Sequence, residues 1–202
     1  MRIGILADIH GHLENLRSAL ASLQLADVDT TVVLGDLIET RAHAAETVAL
    51  LKARNAVGVW GNHELGLCID PPSAIRTAYT EPVVEYFGTL AARFELGDVM
   101  FSHTLPSQDA TDPAAYYLGP HPHEGGALDE CFARFPHRIM FVGHFHRWFA
   151  ATRNATISWD GSEPIEFELS QRYLVVVHAV MNGWFAIFDD STDVLTPIAI
   201  TP

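Results

Sequence analysis

The sequence predicts a mixed α/β fold with a parallel half and a more antiparallel half, and three observations lead to it. Over residues 1–60 a short apolar run, a polar turn and a helical pattern alternate, as they do where strands are joined by crossover helices. Gly97-Asp98 then separates two β-like runs, a two-residue hairpin signal that marks antiparallel pairing. Beyond residue 138 short β-like runs dominate.

In chain order, Ile3–Ala7 reads as a buried strand, and Leu13, Leu16, Leu20 and Leu23 fall at the spacing of an amphipathic helix over 12–25. A strand at Thr30–Leu34, a helix over Arg41–Arg54 and a strand at Ala56–Trp60 continue the pattern, and such βαβ units normally build a parallel sheet. Residues 71–92 read as mostly helical, with Pro71-Pro72 and Pro82 at the starts. Phe94–Leu96 and Val99–Ser102 are the arms of the hairpin. Residues 104–126, rich in Pro, Gly, Asp and His, read as one long loop, and loops of that length are usually functional or mobile. A short helix near Ala127–Phe135 leads to a strand at Arg138–Val142, and β runs follow near 147–152, 155–159, 164–169, 172–178, 184–189 and 194–200. No repeat, low-complexity tract or linker divides the chain, so residues 1–202 are expected to form one domain.

Composition narrows the function. Hydrophobic residues make up 49% and charged residues 18% of the 202, enough apolar material for a sizeable core and too much for a mostly disordered chain. Twelve Lys plus Arg against 25 Asp plus Glu leave a net charge of −13, which disfavours nucleic acid and anionic lipid as partners. Cys68 and Cys131 lie far apart, which argues for two free thiols rather than a disulfide framework or a Cys-rich zinc site. The first apolar run stops after five residues, too short for a secretory signal. Tyr173–Phe188, interrupted by His178, Asn182 and Gly183, falls short of the ~20 apolar residues of a membrane-spanning helix. The expectation is a cytoplasmic protein with no membrane segment. A monomer and a homodimer joined through the apolar C-terminal strands are both compatible with the sequence.

The chemistry lies at the strand ends. The first strand runs into Asp8-Ile9-His10, the second into Gly35-Asp36, the third into Gly61-Asn62-His63-Glu64; later runs end at His103 and at Gly143-His144-Phe145-His146. Ligands of open α/β sheets bind beyond the carboxyl ends of strands, so these groups should converge. In Asp8-Ile9-His10 and His144-Phe145-His146 the candidate ligands are two apart, which puts both side chains on one side of an extended backbone. Asp8, His10, Asp36, Asn62, His103, His144 and His146 offer enough groups for one or two adjacent ions, with Asp36 as a candidate bridge. Mixed imidazole and carboxylate donors suit two divalent transition-metal ions (Mn, Fe, Zn, Ni or Co) better than calcium, without choosing among them.

In order and spelling these segments resemble the signatures D-x-H, G-D, G-N-H-[DE], H and G-H-x-H of the calcineurin-like metallophosphoesterase superfamily, over residues 8–146. The resemblance implies an α/β four-layer αββα sandwich of two mixed β-sheets flanked by helices, and a dinuclear centre. It assigns Asp8, His10, Asp36 and His146 to one ion and Asp36, Asn62, His103 and His144 to the other. It also implies hydrolysis by a hydroxide between the ions, with His63 as general acid or phosphate-stabilising group and not a ligand, and Glu39 as the carboxylate that orients it. Protein Ser/Thr phosphatases of the superfamily carry two phosphate-binding arginines where this chain has Thr40 and Trp60, although Arg41 stands one position later. The chain is more similar to the small phosphodiesterase-like members. The expected function is therefore metal-dependent hydrolysis of a phosphodiester in a small, nucleotide-like phosphorylated substrate. A phosphomonoesterase and a non-catalytic metal-binding scaffold are the alternatives, and the acidic charge argues against an exonuclease.

Other residues read more plainly. His12 suits a helix N-cap or a contact behind the ligands, His121 and His123 an exposed loop or a lid, and His43, His137 and His178 the surface or core. Arg147 and Trp148 leave the same strand end as His146 and so stand near substrate or pack as strand residues.

Overall fold

Two six-stranded mixed sheets lie face to face between helices in the computed structural model, which describes residues 1–200. The chain begins with β1 (Arg2–Leu6), α1 (Leu13–Leu25), β2 (Thr30–Leu34), α2 (Ala44–Lys52) and β3 (Val57–Val59). Three short helices follow, α3 (Leu65–Cys68), α4 (Ser73–Arg76) and α5 (Glu81–Phe87), then the hairpin β4 (Arg93–Leu96) and β5 (Val99–Ser102). Next come α6 (Pro113–Leu118), α7 (Ala127–Arg134), β6 (Ile139–Val142), β7 (Phe149–Thr152) and β8 (Thr156–Ile157). The chain ends in β9 (Ile165–Glu166), β10 (Tyr173–Val176), β11 (Trp184–Asp189) and β12 (Val194–Ala199).

The first sheet has the order β3-β2-β1-β11-β12-β9, parallel across β1, β2 and β3 and antiparallel beyond. The second has the order β4-β5-β6-β10-β7-β8, with β5, β6 and β10 parallel and antiparallel strands at both edges. Parallel and antiparallel pairing is thus present in each sheet. The C-terminal strands divide between them, because β11 pairs with β1 from the other end of the chain.

Strand alternation sets the layers. Ile3 and Ile5 point into the core between the sheets with Phe101, Phe141 and Phe188, whereas Leu6 and Val33 point outward onto Leu16, Leu20 and Val48 of α1 and α2. On the second sheet Met100, Met140 and Leu174 face outward onto Cys131 and Phe132 of α7. This two-residue period gives each sheet two apolar faces, and the product is the four-layer αββα sandwich. Phe141 stacks on Phe101 at 5.7 Å and meets Phe188 of the opposite sheet at 5.4 Å. Truncating a buried Phe to Ala costs about 3–5 kcal/mol, so the inter-sheet core is a principal source of rigidity under the site.

Local departures from the expected elements have local causes. The helix expected over Arg41–Arg54 is a 3-10 turn at Arg41–His43 followed by α2. Residues 71–92 hold only two short helices, and α3 precedes them. The long loop of residues 104–126 contains α6, whose start is fixed by the Asp112 side chain accepting from the Ala114 N–H at 2.9 Å and by Pro113 at the first helical position. His12 occupies the N-cap position of α1 but its side chain makes no capping bond. Among the described residues no helix is long and apolar enough to cross a membrane.

Candidate metal centre

Four strands of the two sheets, β1, β2, β5 and β6, and the segment after β3 deliver the motif side chains to one edge of the sandwich. Each chain reversal there is sharp: Asp8, His10, Asp36, His144 and His146 all have positive φ, between 47° and 65°. Non-glycine residues held in this region cost of order 1–3 kcal/mol each and persist where surrounding structure fixes them. Gly35 and Gly61 are required by space. A Cβ on Gly61 would stand 2.2 Å from Asp36 Oδ1, and one on Gly35, at φ +83°, would stand 2.5 Å from the Gly61 nitrogen.

Asp36 is the centre of the cluster. Its Oδ2 lies 3.4 Å from His103 Nε2, 3.6 Å from His10 Nε2 and 3.9 Å from His63 Nε2. Its Oδ1 accepts from the His63 backbone N–H at 3.1 Å. On one side His146 Nε2 lies 3.3 Å from both Asp8 Oδ1 and His10 Nε2. On the other, His103 Nε2 lies 3.2 Å from both His144 Nδ1 and Asn62 Oδ1. The ligand-capable atoms fall into three groups, Asp8–His10–His146, His10–Asp36–His63 and Asp36–His103–His144, with the atoms of each group within 4.8 Å of one another.

The outward-facing atoms of these groups are engaged elsewhere. His103 Nδ1 donates to the Leu34 carbonyl at 2.6 Å, and His144 Nε2 pairs with the Tyr116 carbonyl at 2.9 Å. His10 Nδ1 pairs with Glu39 Oε2 at 2.7 Å. Both Asp8 oxygens accept from the His144 backbone N–H, at 2.9 and 3.1 Å. Fixing one ring nitrogen in this way orients the other as a metal ligand. Four imidazole nitrogens crowded against two buried carboxylates is an arrangement suited to divalent cations, and the residues present fit that group.

Charge follows the same geometry. Burial disfavours the Asp36 carboxylate, but the charge and hydrogen bond of His103 outweigh it and hold its pKa below the usual range. Burial likewise works against His103, yet the charge and hydrogen bond of Asp36, together with Asp8, push its pKa up to about 10. Burial and the neighbouring His103 lower His144, whereas the hydrogen bond to Asp8 raises His146. Glu64 is fully buried, with a pKa pushed up to about 8 by burial and by Asp36. Its carboxyl accepts from Gly61 N–H at 2.9 Å and Leu37 N–H at 3.2 Å, tying two motif loops together.

All seven residues expected as ligands converge here, with His63 exposed at the rim. Glu39, expected beside His63, lies 3.5 Å from His63 Nδ1 but is nearer to His10. The positions that lack arginines have local roles: the Thr40 hydroxyl caps the 3-10 turn, and the Trp60 indole donates to the Ala110 carbonyl at 3.2 Å. Arg41 donates to the Ala78 carbonyl at 3.3 Å. His123 Nδ1 lies 3.0 Å from Arg147, and His121 packs 5.4 Å from Phe145.

Two neighbours of the centre escaped the sequence reading. Tyr116 and Tyr117 arrive on α6, which the Asp112-Pro113 capping signal announces. His178, expected at the surface or in the core, is half-buried, follows β10 beside the end of β1 through the Ala7–Ala179 bridge and stacks on Trp184 with an interplanar angle of 19°.

A family model for calcineurin-like phosphoesterases matches residues 1–160. An uncharacterized protein of Methanocaldococcus jannaschii is 32% identical over 161 residues, 71% of this chain, and the match spans 62% of that protein's length. Among solved structures, a metallophosphoesterase from Sphaerobacter thermophilus superposes with a TM-score of 0.79 at 22% identity, covering 100% of this chain and 89% of the other. A protein described as a putative diadenosine tetraphosphatase gives 0.62 at 19% identity, covering 98% and 93%. A protein described as a novel archaeal phosphodiesterase gives 0.57 at 16% identity, covering 98% and 99%. At these identities the structural likenesses are likenesses of fold.

Proposed function

The chain belongs to the calcineurin-like phosphoesterase family, and from that premise we propose that residues 1–202 form one metallophosphoesterase domain hydrolysing a phosphodiester of a small, nucleotide-like substrate. The observation that carries this reading is the convergence of carboxylate oxygens and imidazole nitrogens on Asp36 Oδ2. Asp8, His10 and His146 would hold one divalent transition-metal ion, Asn62, His103 and His144 a second, and Asp36 both. When bound, such ions lower the pKa of water toward neutrality and withdraw charge from phosphoryl oxygens.

The chain's own residues supply the rest. Asp8, locked by the His144 backbone N–H, and Asp36, locked by the His63 backbone N–H, keep their carboxylates aimed inward. His63, exposed at the rim with Nε2 3.9 Å from Asp36 Oδ2, is placed to give a proton to a departing alkoxide. Glu39, 3.5 Å from His63 Nδ1, orients that ring while also pairing with His10. No side-chain nucleophile is invoked.

Diester preference is supported by the absence of the protein-phosphatase arginines at Thr40 and Trp60. It is also in line with the phosphodiesterase and diadenosine tetraphosphatase descriptions of two structural neighbours. The test is hydrolysis of bis-p-nitrophenyl phosphate and p-nitrophenyl phosphate, side by side, by metal-stripped protein refilled with Mn, Ni, Zn or Mg. Metal-dependent turnover favouring the diester is expected. Preference for the monoester would make the protein a phosphatase, and metal uptake without turnover of either would favour a binding scaffold.

A further inference from the structure

Helix α6 is tied to the metal centre at two points and yet turns apolar side chains to solvent. The Tyr116 carbonyl meets Nε2 of His144 at 2.9 Å, and the Tyr117 hydroxyl accepts from Nδ2 of Asn62 at 3.2 Å. Beside these anchors Tyr117 is 71% and Leu118 85% exposed. Contiguous exposed apolar surface rimmed by polar groups marks ligand-binding surfaces, and here a ring and an aliphatic side chain stand bare side by side at the edge of a charged centre. Because Asn62 donates to the Tyr117 oxygen, the phenol's own proton is free to donate.

The motif residues are assigned to the ions and the phosphoryl group, which leaves α6 to meet another substituent on phosphorus. Resting on the phosphodiesterase reading, we propose that Tyr117 and Leu118 form the seat for the second, planar organic group of the diester, an aryl or nucleoside substituent. Tyr117 stacks on that group and directs its hydroxyl proton at an ester or phosphoryl oxygen. Stacking of a planar base on an aromatic side chain commonly carries about a tenfold effect on alanine substitution. A monoester has no such group, so the shelf discriminates between the two substrate classes.

The test uses two ligands with stable P–C bonds, diphenylphosphinate and phenylphosphonate, titrated calorimetrically into Mn-refilled protein. Tyr117→Ala is expected to raise the Kd for diphenylphosphinate about tenfold more than that for phenylphosphonate. Leu118→Ser, at a residue 85% exposed, should shift the ratio in the same direction, and Tyr117→Phe should retain most of the parent's ratio. Equal losses for both ligands across the variants, or no loss, would overturn the proposal. It fails separately from the hydrolase reading, because a parent that binds metal but turns over no ester would overturn the latter while the Kd ratio still judges Tyr117.

Discussion

The carboxylate of Glu39 meets Nδ1 of His10 at 2.7 Å, although its side chain is 58% exposed. The same oxygen lies 3.5 Å from Nδ1 of His63. One surface carboxylate therefore addresses both an expected ligand and the expected proton donor. Carboxylates that orient ligating histidines typically contribute 10–100-fold to metal affinity or activity. Glu39→Ala should thus weaken Mn binding by about tenfold, at the lower end because of exposure, measured by competition with a chelating dye. A fall in kcat with metal affinity unchanged would show that Glu39 serves His63 alone.

Asp36 and His63 should separate binding from chemistry. Asp36 touches both halves of the cluster, so Asp36→Ala is expected to lose metal and activity together. His63 sits at the rim, and His63→Ala should keep both ions by elemental analysis while kcat falls about 10²–10⁴-fold, the usual contribution of a general acid. Loss of metal from the His63 variant would instead make it a ligand, an outcome its place in the His10–Asp36–His63 group makes worth measuring.

The legible parts of this molecule were those encoded within a few consecutive residues. Each motif pairs a tight backbone reversal with its ligand, as in Gly35-Asp36 and Gly61-Asn62, so position and chemistry are written together. The Leu13–Leu23 stripe and the Gly97-Asp98 turn were local in the same sense. The partition of the C-terminal strands was not, because β11 joins β1 across almost the whole chain. Helix α6 was hidden by the Pro and Gly content around it, although Asp112-Pro113 spelled its start. That Glu39 lies nearer to His10 than to His63, 2.7 against 3.5 Å, depends on a tertiary difference of under an ångström, which no spacing encodes.

Metal uptake should release protons. The folded chain holds His103 at a pKa of about 10, above its ordinary 6.5, through Asp36 against the opposing effect of burial. A pKa raised on folding stabilises the metal-free fold fully below about 6.5 and progressively less as pH rises through about 10. An ion at Nε2 requires the neutral ring, so binding at pH 7 displaces that proton and apparent affinity rises with pH. Calorimetric titration of Mn²⁺ in buffers of different ionisation enthalpy should report about one proton or more released per chain. Binding that is independent of both buffer and pH would contradict the His103–Asp36 charge pair.

Glu64 should matter for stability rather than for turnover chemistry. Its buried carboxyl accepts the N–H groups of Gly61 and Leu37, holding the loops that carry Asn62 and Asp36 against each other. Glu64→Ala strands two buried donors at about 1–3 kcal/mol each. For a chain of this size each kcal/mol moves the melting temperature by about 2–4 °C, so Tm of the metal-stripped protein should fall by about 4–24 °C. Glu64→Gln keeps an acceptor for one of the two N–H groups and should lose less. A Glu64→Ala variant that melts with the parent would mean that water replaces the carboxyl, and that the two loops are held by the ligands themselves.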